Sequence, residues 1–173
     1  LENELHAPYI GYGGMLMESF VAIMALVAAS IIEPGVYFAM NSPAALIGTT
    51  PETAAAAISQ WGFIVTPEML QQTAANVGET TIISRAGGAP TLAVGMAQIF
   101  SSVIGGQAMM AFWYHFAILF EALFILTAVD AGTRVGRFML QDLLGTLVPS
   151  FKNIHGLASN IIATLLCVAA WGY

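Results

Sequence analysis

Charged side chains are scarce in this sequence. Of its 173 residues only 8% are Asp, Glu, Lys or Arg, whereas 58% are hydrophobic, and the mean hydropathy is +0.79. A soluble globular domain carries roughly 25% charged residues, so this chain has too little polar surface to cover a water-exposed fold. Intrinsic disorder is excluded as well, because disordered chains are poor in hydrophobic residues. The composition therefore predicts a membrane protein with its helices in a lipid bilayer.

Basic residues and cysteine are also few. Four Lys and Arg against ten Asp and Glu give a net charge of −6; this argues against a nucleic-acid partner, because phosphate binding needs clustered basic residues. The single cysteine, Cys167, excludes a disulfide framework and a metal site built from cysteines. His-Glu-x-x-His and Gly-x-Ser-x-Gly patterns are missing from the sequence. We therefore predict no metal site, no cofactor and no enzymatic activity.

Three apolar segments have about the length of a membrane-spanning helix, roughly 20 residues. They cover about 10–32, 107–129 and 157–173. The chain begins at Leu1 without a methionine or a signal-peptide pattern, and it ends inside the third apolar segment. We therefore expect an internal fragment of one transmembrane domain, whose remaining helices belong to a longer chain.

Two further apolar segments, about 36–48 and 91–104, are too short to cross a bilayer as helices. We expect broken, re-entrant or interfacial helices there. The region between them, about 49–90, is the most polar part of the chain and is expected to lie on the external side of the membrane. Within it, Thr50-Pro51-Glu52 and Thr66-Pro67-Glu68 each combine a capping hydroxyl, a first-turn proline and an acidic residue.

These two start signals predict short helices over about 51–60 and 67–76. A third polar segment, about 131–155, carries Arg134, Arg137 and Lys152, which are three of the four basic residues. The tendency of basic loops to face the cytoplasm places this segment inside, with a short helix on the membrane surface.

These assignments conflict if every apolar segment crosses the membrane. If the first span runs outward and 49–90 is external, full crossings at 91–104 and 107–129 would place the basic segment outside. Either one of the short segments is a half-crossing or re-entrant hairpin, or the charge rule fails here. We favour a short helix at 91–104, broken at Gly105-Gly106, because interrupted helices of this kind often line the substrate sites of secondary transporters.

Glu18 and Glu33 lie on one side of the first apolar segment. Ala22, Ala25 and Ala29 fall within about 60° of Glu18 on a helical projection, whereas the bulky residues lie opposite. Small residues allow close approach of another helix, so this side is expected to face the protein interior. Glu18 is a candidate site for a proton or a substrate amine; the alternative is a carboxyl group bonded to a neighbouring helix or placed among the headgroups. Glu33 is a weaker candidate of the same kind, near the interface.

Glu121 lies near the middle of the second full-length segment, on the same face as Tyr114 and Ala117. A charged acid at the centre of a membrane helix costs about 2.5–3.5 kcal/mol on insertion scales. Such a group is protonated, paired or next to water, so Glu121 is a candidate for proton or substrate binding. His115 lies at the edge of the lipid-facing side, where it is either a proton carrier or a hydrogen-bonded packing residue.

Asp130 and Arg134 are four residues apart at the end of this segment. Opposite charges at this spacing meet on one side of a helix. We interpret them as a structural ion pair that anchors the helix end.

Three runs of sequence carry a family resemblance: GYGGMLMESF at 11–20, IEPGVYFAMN at 32–41 and FEALFILTAVDAGTR at 120–134. They resemble the carbon starvation protein A family, and the resemblance covers nearly the whole chain. It implies a multi-pass carrier of the bacterial inner membrane, several hundred residues long, that imports peptides and pyruvate during carbon starvation and is coupled to protons. It also implies an all-α polytopic fold with inverted repeats and broken helices. The family resemblance assigns no substrate-binding residues.

Two hypotheses follow. In the first, the protein is a proton-coupled secondary transporter whose partners are the substrate, the coupling proton, the bilayer and the remaining helices of the chain. In the second, it is a structural or signalling membrane module whose buried acids only join helices. A channel is a third possibility.

Overall fold

The computed structural model describes residues 3–148, 151 and 156–172, and all regular structure within these ranges is helical. The predicted all-α class is therefore confirmed. The α-helices are α1 (His6–Ile31), α2 (Pro34–Asn41), α3 (Ala44–Ile47), α4 (Pro51–Gln60), α5 (Pro67–Val77), α6 (Gly88–Val103), α7 (Met110–Leu147) and α8 (Leu157–Gly172). A short 3-10 helix, Gln107–Met109, precedes α7. Lys152, His155 and Tyr173, which the sequence places in the basic segment and the last span, lie outside the described residues.

Two of the helices that the structure describes are long and apolar enough to cross a membrane, judged by length and composition. They are His6–Ile31 and Gln107–Thr146. The first ends before Glu33-Pro34, because proline disfavours a helical conformation at the residue before it. Helix α8 is apolar but has 16 described residues, so a third full span over 157–173 stays a prediction.

The two short apolar segments form short helices, as expected. The 36–48 segment is divided between α2 and α3, which are separated at Ser42-Pro43. The 91–104 segment is α6, which starts earlier, at Gly88, and ends at Val103. The predicted break follows directly, since Gly105 and Gly106 have positive φ angles of 83° and 61°. Whether each short helix crosses the membrane, re-enters it or lies at its surface stays a prediction.

The basic segment differs from its prediction. The sequence predicts a span ending near 129 and a loop over 131–155 with a short surface helix, whereas α7 continues without a break to Leu147. Residues 131–147 contain no proline, and two of their glycines, Gly132 and Gly136, pack against α8. The helix therefore continues until just before Pro149, the first proline after α7 begins.

The chain divides into two compact units, Leu1–Leu119 and Phe120–Tyr173. In the first unit a hydrophobic core is built from short helices and the beginning of α7. Its largest fully buried apolar side chains come from five elements and the loop before α6: Met40, Ile47, Ile58, Leu70, Val77, Ile82 and Val94. The C-terminal half of α1 joins this unit at α6, where Gly95 faces Ala28. A Cβ built on Gly95 would lie 2.1 Å from the Ala28 carbonyl oxygen, so only glycine allows the two backbones to approach this closely.

The polar region of the first unit follows its sequence signals closely. The Thr50 hydroxyl accepts from the Thr53 backbone N–H, and the Thr66 hydroxyl accepts from the Met69 N–H, each at 3.3 Å. Helix α4 ends at Gln60, and α5 ends one residue later than predicted, at Val77, before the left-handed Gly78. The two predicted short helices and their caps are confirmed.

The second unit is an antiparallel pair of helices, α7 and α8. Along α7, Gly132 lies beside Trp171 and Gly136 beside Cys167, and further on Gln141 donates to Asn160 at 2.7 Å. The residue numbers of the contacting positions therefore decrease along α8 as they increase along α7, which shows that the two helices are antiparallel. A Cβ on Gly136 would lie 2.6 Å from the Cys167 sulfur. The Gly-x-x-x-Gly spacing at 132–136 thus permits the close packing that small residues provide between membrane helices.

Candidate functional site

The acids within the two predicted spans that form long helices are Glu18 and Glu121. Glu18 is exposed on α1 and Glu121 is half-buried on α7. Among the described residues, neither carboxyl group makes a hydrogen bond or an ion pair. Ala25 and Ala29 on the Glu18 side of α1 are half-buried, whereas Ala22 is exposed. The inward orientation predicted for Glu18 therefore stays a prediction.

His115 lies one turn into α7, and its Nδ1 is 2.7 Å from the Ala111 carbonyl oxygen. Because a carbonyl oxygen can only accept, Nδ1 carries the hydrogen, and Nε2 of the neutral ring keeps its lone pair. A Cβ built on Gly78 would lie 3.6 Å from His115 Cε1, so the ring lies beside the C-terminal end of α5. This contact agrees with the hydrogen-bonded alternative for His115, and its role stays a prediction.

Glu33, between α1 and α2, lines an open cleft of about 420 Å³. Three polar side chains of α5 share the cleft with it: Glu68, Gln72 and Thr73. Hydrogen bonds from the Glu68 backbone N–H and the Thr66 hydroxyl lower the pKa of Glu68. Glu68 is therefore ionised at neutral pH, and the cleft is acidic.

Arg134 contacts Asp130 on α7, with Nε also 3.4 Å from Oδ1. Both side chains are more than half exposed, so the pair supports the helix by only a few tenths of a kcal/mol in water. Its position on α7 agrees with a structural role.

A second polar cluster, which we call the Arg85 cluster, consists of Glu79, Arg85 and Tyr114. Arg85 Nη1 lies 2.9 Å from Glu79 Oε1 and donates to the Tyr114 hydroxyl at 3.1 Å. Hydrogen bonding to the Glu79 carboxylate raises the pKa of Arg85. Tyr114 is buried, whereas the Arg85 side chain is 38% exposed. The cluster links the loop that precedes α6 with helix α7.

Sequence reasoning missed this cluster because its members are far apart along the chain. A signal existed, since Arg85 is the one basic residue before Arg134. An isolated cation in an acidic region needs a nearby anion, and Glu79 is close in sequence. The Tyr114 contact depends on the packing of α5 against the start of α7, which no local pattern shows.

The amide of Asn76 strengthens the same junction. Its Oδ1 accepts from Gln72 Nε2 at 2.8 Å within α5 and from Gln107 Nε2 at 2.9 Å just before α7. A second polar link therefore joins the polar region to the 3-10 helix that precedes α7.

Within the residues that the structure describes, no group of three His, Cys, Asp or Glu side chains could hold a metal ion.

Comparison with known proteins gives one family. The family model described as "Carbon starvation protein CstA" matches residues 1–173. The chain is 66% identical to the peptide transporter CstA of Escherichia coli (strain K12), covering 100% of the chain and 25% of that protein. It is 56% identical to the pyruvate/proton symporter BtsT of the same organism, covering 100% of the chain and 27% of that protein.

A further relative is the peptide transporter CstA of Campylobacter jejuni (subsp. jejuni serotype O:2), at 58% identity over 100% of the chain and 25% of that protein. The chain thus spans about a quarter of the length of the curated relatives it matches. No solved structure gave a significant match. The apolar helices and the transporter relatives indicate a membrane protein, and the resemblance seen in the three sequence runs is confirmed: the chain belongs to the carbon starvation protein CstA family.

Proposed function

We propose that the protein containing this chain is a secondary transporter of the bacterial inner membrane. It imports peptides or pyruvate during carbon starvation and uses a proton gradient to do so. The names of the relatives support this, since one is a peptide transporter and another a pyruvate/proton symporter. The short, interrupted helices α2, α3 and α6 support a carrier with inverted repeats, because such carriers use broken helices around their sites.

The proposal of proton coupling rests on the unpaired carboxyl group of Glu121. Its carboxyl group lies within a 40-residue apolar helix and has no hydrogen-bond or ion-pair partner among the described residues. An unpaired carboxylate in hydrocarbon is costly, so the group binds a proton or contacts water and the remaining helices of the longer chain. Glu18 has the same character on α1, and His115 Nε2 is a further proton acceptor near the start of α7.

The test is transport by the full-length protein in proteoliposomes. Labelled pyruvate and a labelled dipeptide are supplied separately, each with and without an inward proton gradient. The proposal predicts accumulation of at least one compound that requires the gradient. Protein that is folded by size-exclusion chromatography yet accumulates neither compound would contradict it, and the acids would then be interpreted as groups that join helices.

A further inference from the structure

The guanidinium group of Arg85 is held in a fixed position by its loop. Ile82 and Ile83 before it are buried, and the Ser84 N–H donates to the Ala39 carbonyl at 2.9 Å. Ser84 has a φ of 53°, the one positive φ among the described non-glycine residues. A strained backbone of this kind persists only where surrounding contacts impose it, and it is frequent at functional sites. The loop thus directs Arg85 towards α7.

The hydrogen bonds of Arg85 use one of its three guanidinium nitrogens and leave three of its five N–H donors without an acceptor among the described residues. Nη1 alone contacts Glu79 and Tyr114. Nε and Nη2 have no acceptor among the residues that the structure describes, and neither is a buried, unsatisfied atom. These two nitrogens form an edge of the guanidinium whose parallel N–H groups match the two oxygens of a carboxylate.

Charge makes this edge distinctive. Arg85 is the one basic residue in the first 133 positions of the sequence. A carboxylate reaching this part of the protein therefore has one guanidinium to bind. A pair that served only as a tether would be complete with Glu79, whereas here Glu79 and Tyr114 both bind one nitrogen and leave the opposite edge open.

We infer that Arg85 recognises the carboxylate of the transported substrate through its open Nε–Nη2 edge, with Glu79 and Tyr114 as positioning residues that hold the guanidinium. This rests on the proposed transport function, because a peptide and pyruvate share a carboxylate as their anionic group. Both substrates would bind the same edge, and other residues of the protein would recognise the groups in which the two substrates differ.

The experiment compares alanyl-alanine with alanyl-alaninamide, and pyruvate with pyruvamide, as substrates of the full-length protein in proteoliposomes. The amides lack the carboxylate but keep the rest of the molecule. Wild type is expected to show a lower KM for each acid than for its amide. In Arg85→Gln the KM for the transported acid should rise at least tenfold, with little change for the amide and a smaller change in kcat.

Three further variants separate recognition from tethering. Arg85→Lys keeps the charge but not the two-pronged edge, so it should recover part of the preference for the acid. Glu79→Gln should raise the KM for the acid less than Arg85→Gln does and keep part of the preference, because the amide oxygen can still accept from Nη1 while the open edge remains. Arg134→Gln is the matched control, since it also removes a guanidinium from an ion pair, and its KM ratio should equal that of wild type.

If the ratio of the KM values for acid and amide in Arg85→Gln and Arg85→Lys equals that of wild type, the inference is overturned. Gradient-driven uptake by wild type would still support the proposed function in that case. Equal losses in Glu79→Gln and Arg85→Gln for acid and amide alike would reduce the cluster to a tether and also overturn the inference. If wild type accumulated none of the acids, the proposed function would fail and this inference with it. Melting temperatures in detergent identify any variant that fails to fold, and in that case Arg85→Lys decides.

Discussion

The two compact units hold their helices together by different means. The first, Leu1–Leu119, has a hydrophobic core shared by many short elements, with capped helices and the Arg85 cluster at its polar parts. The second, Phe120–Tyr173, has two helices and packs mainly through glycines of α7 against α8. The first unit therefore combines a shared hydrophobic core with polar links and one close backbone contact, at Gly95, whereas the second relies on one helix pair with small residues at its contacts. The Arg85 cluster lies in the first unit, whereas Glu121 lies in the second.

Each unit has a close glycine contact, and the largest effect is expected at Gly95 in the first unit. In Gly95→Ala the new Cβ would lie 2.1 Å from the backbone oxygen of Ala28, which cannot move without shifting α1. We expect a loss of about 2 kcal/mol or more in the free energy of unfolding, measured by denaturation of the full-length protein in detergent.

Gly88→Ala is the matched control for this experiment. Gly88 is also helical, but nothing lies within 4 Å of its built Cβ. This change should leave the protein as stable or stabilise it by about 0.5 kcal/mol. Equal stabilities of the Gly95 and Gly88 variants would contradict the close packing of α1 on α6.

A smaller loss, about 1–2 kcal/mol, is expected for Gly136→Ala, because its new Cβ meets a side-chain atom, the Cys167 sulfur, at 2.6 Å. Removing that sulfur with Cys167→Ala in the same protein should recover much of the loss. The coupling free energy comes from the double-mutant cycle. Purely additive effects would show that the two residues do not meet.

The caps of the polar region predict a still smaller effect. Thr66→Ala removes the acceptor for the Met69 N–H at the start of α5, which should lower the free energy of unfolding by about 1 kcal/mol. Thr66→Ser keeps the hydroxyl and serves as the control. A Ser variant as unstable as the Ala variant would show that the methyl group, not the cap, is what matters.

The smallest effect is a pH dependence at Glu68. Its pKa is lower in the folded protein, so it contributes stability above its unfolded pKa, and that contribution disappears as the pH falls through the folded pKa. Glu68→Gln has no such group. Its melting temperature should fall slightly less than that of wild type between about pH 6 and pH 3. Parallel curves for the two proteins would argue against the hydrogen bonds that favour the carboxylate.

Local signals predict the parts of this fold that local physics controls. Thr-Pro-Glu marks the starts of α4 and α5, and Gly105-Gly106 follows the end of α6. Both signals are predictable because helix caps and backbone conformation depend on nearby residues. The sequence predicts a span that ends near 129, 18 residues before α7 ends at Leu147, because it assigns the basic residues that follow to a loop. They are compatible with a helix whose glycines pack against α8, and that packing is not visible in a single segment.

The candidate site shows the same division. Glu18 and Glu121 stand out in the sequence because acids are rare in apolar segments, and their roles stay predictions since neither has a partner among the described residues. The Arg85 cluster joins residues 29 positions apart. Its geometry depends on the tertiary packing of the first unit, so spacing along the chain could not predict it.

The most direct test of the account is gradient-driven uptake by Glu121→Gln in the full-length protein, compared with exchange of labelled for unlabelled substrate across the same vesicles. A proton-binding role predicts that uptake driven by a pH gradient is lost while exchange persists, because glutamine keeps the shape but cannot carry the proton. Unchanged gradient-driven uptake, from a variant that folds like wild type, would contradict the role of Glu121 in coupling.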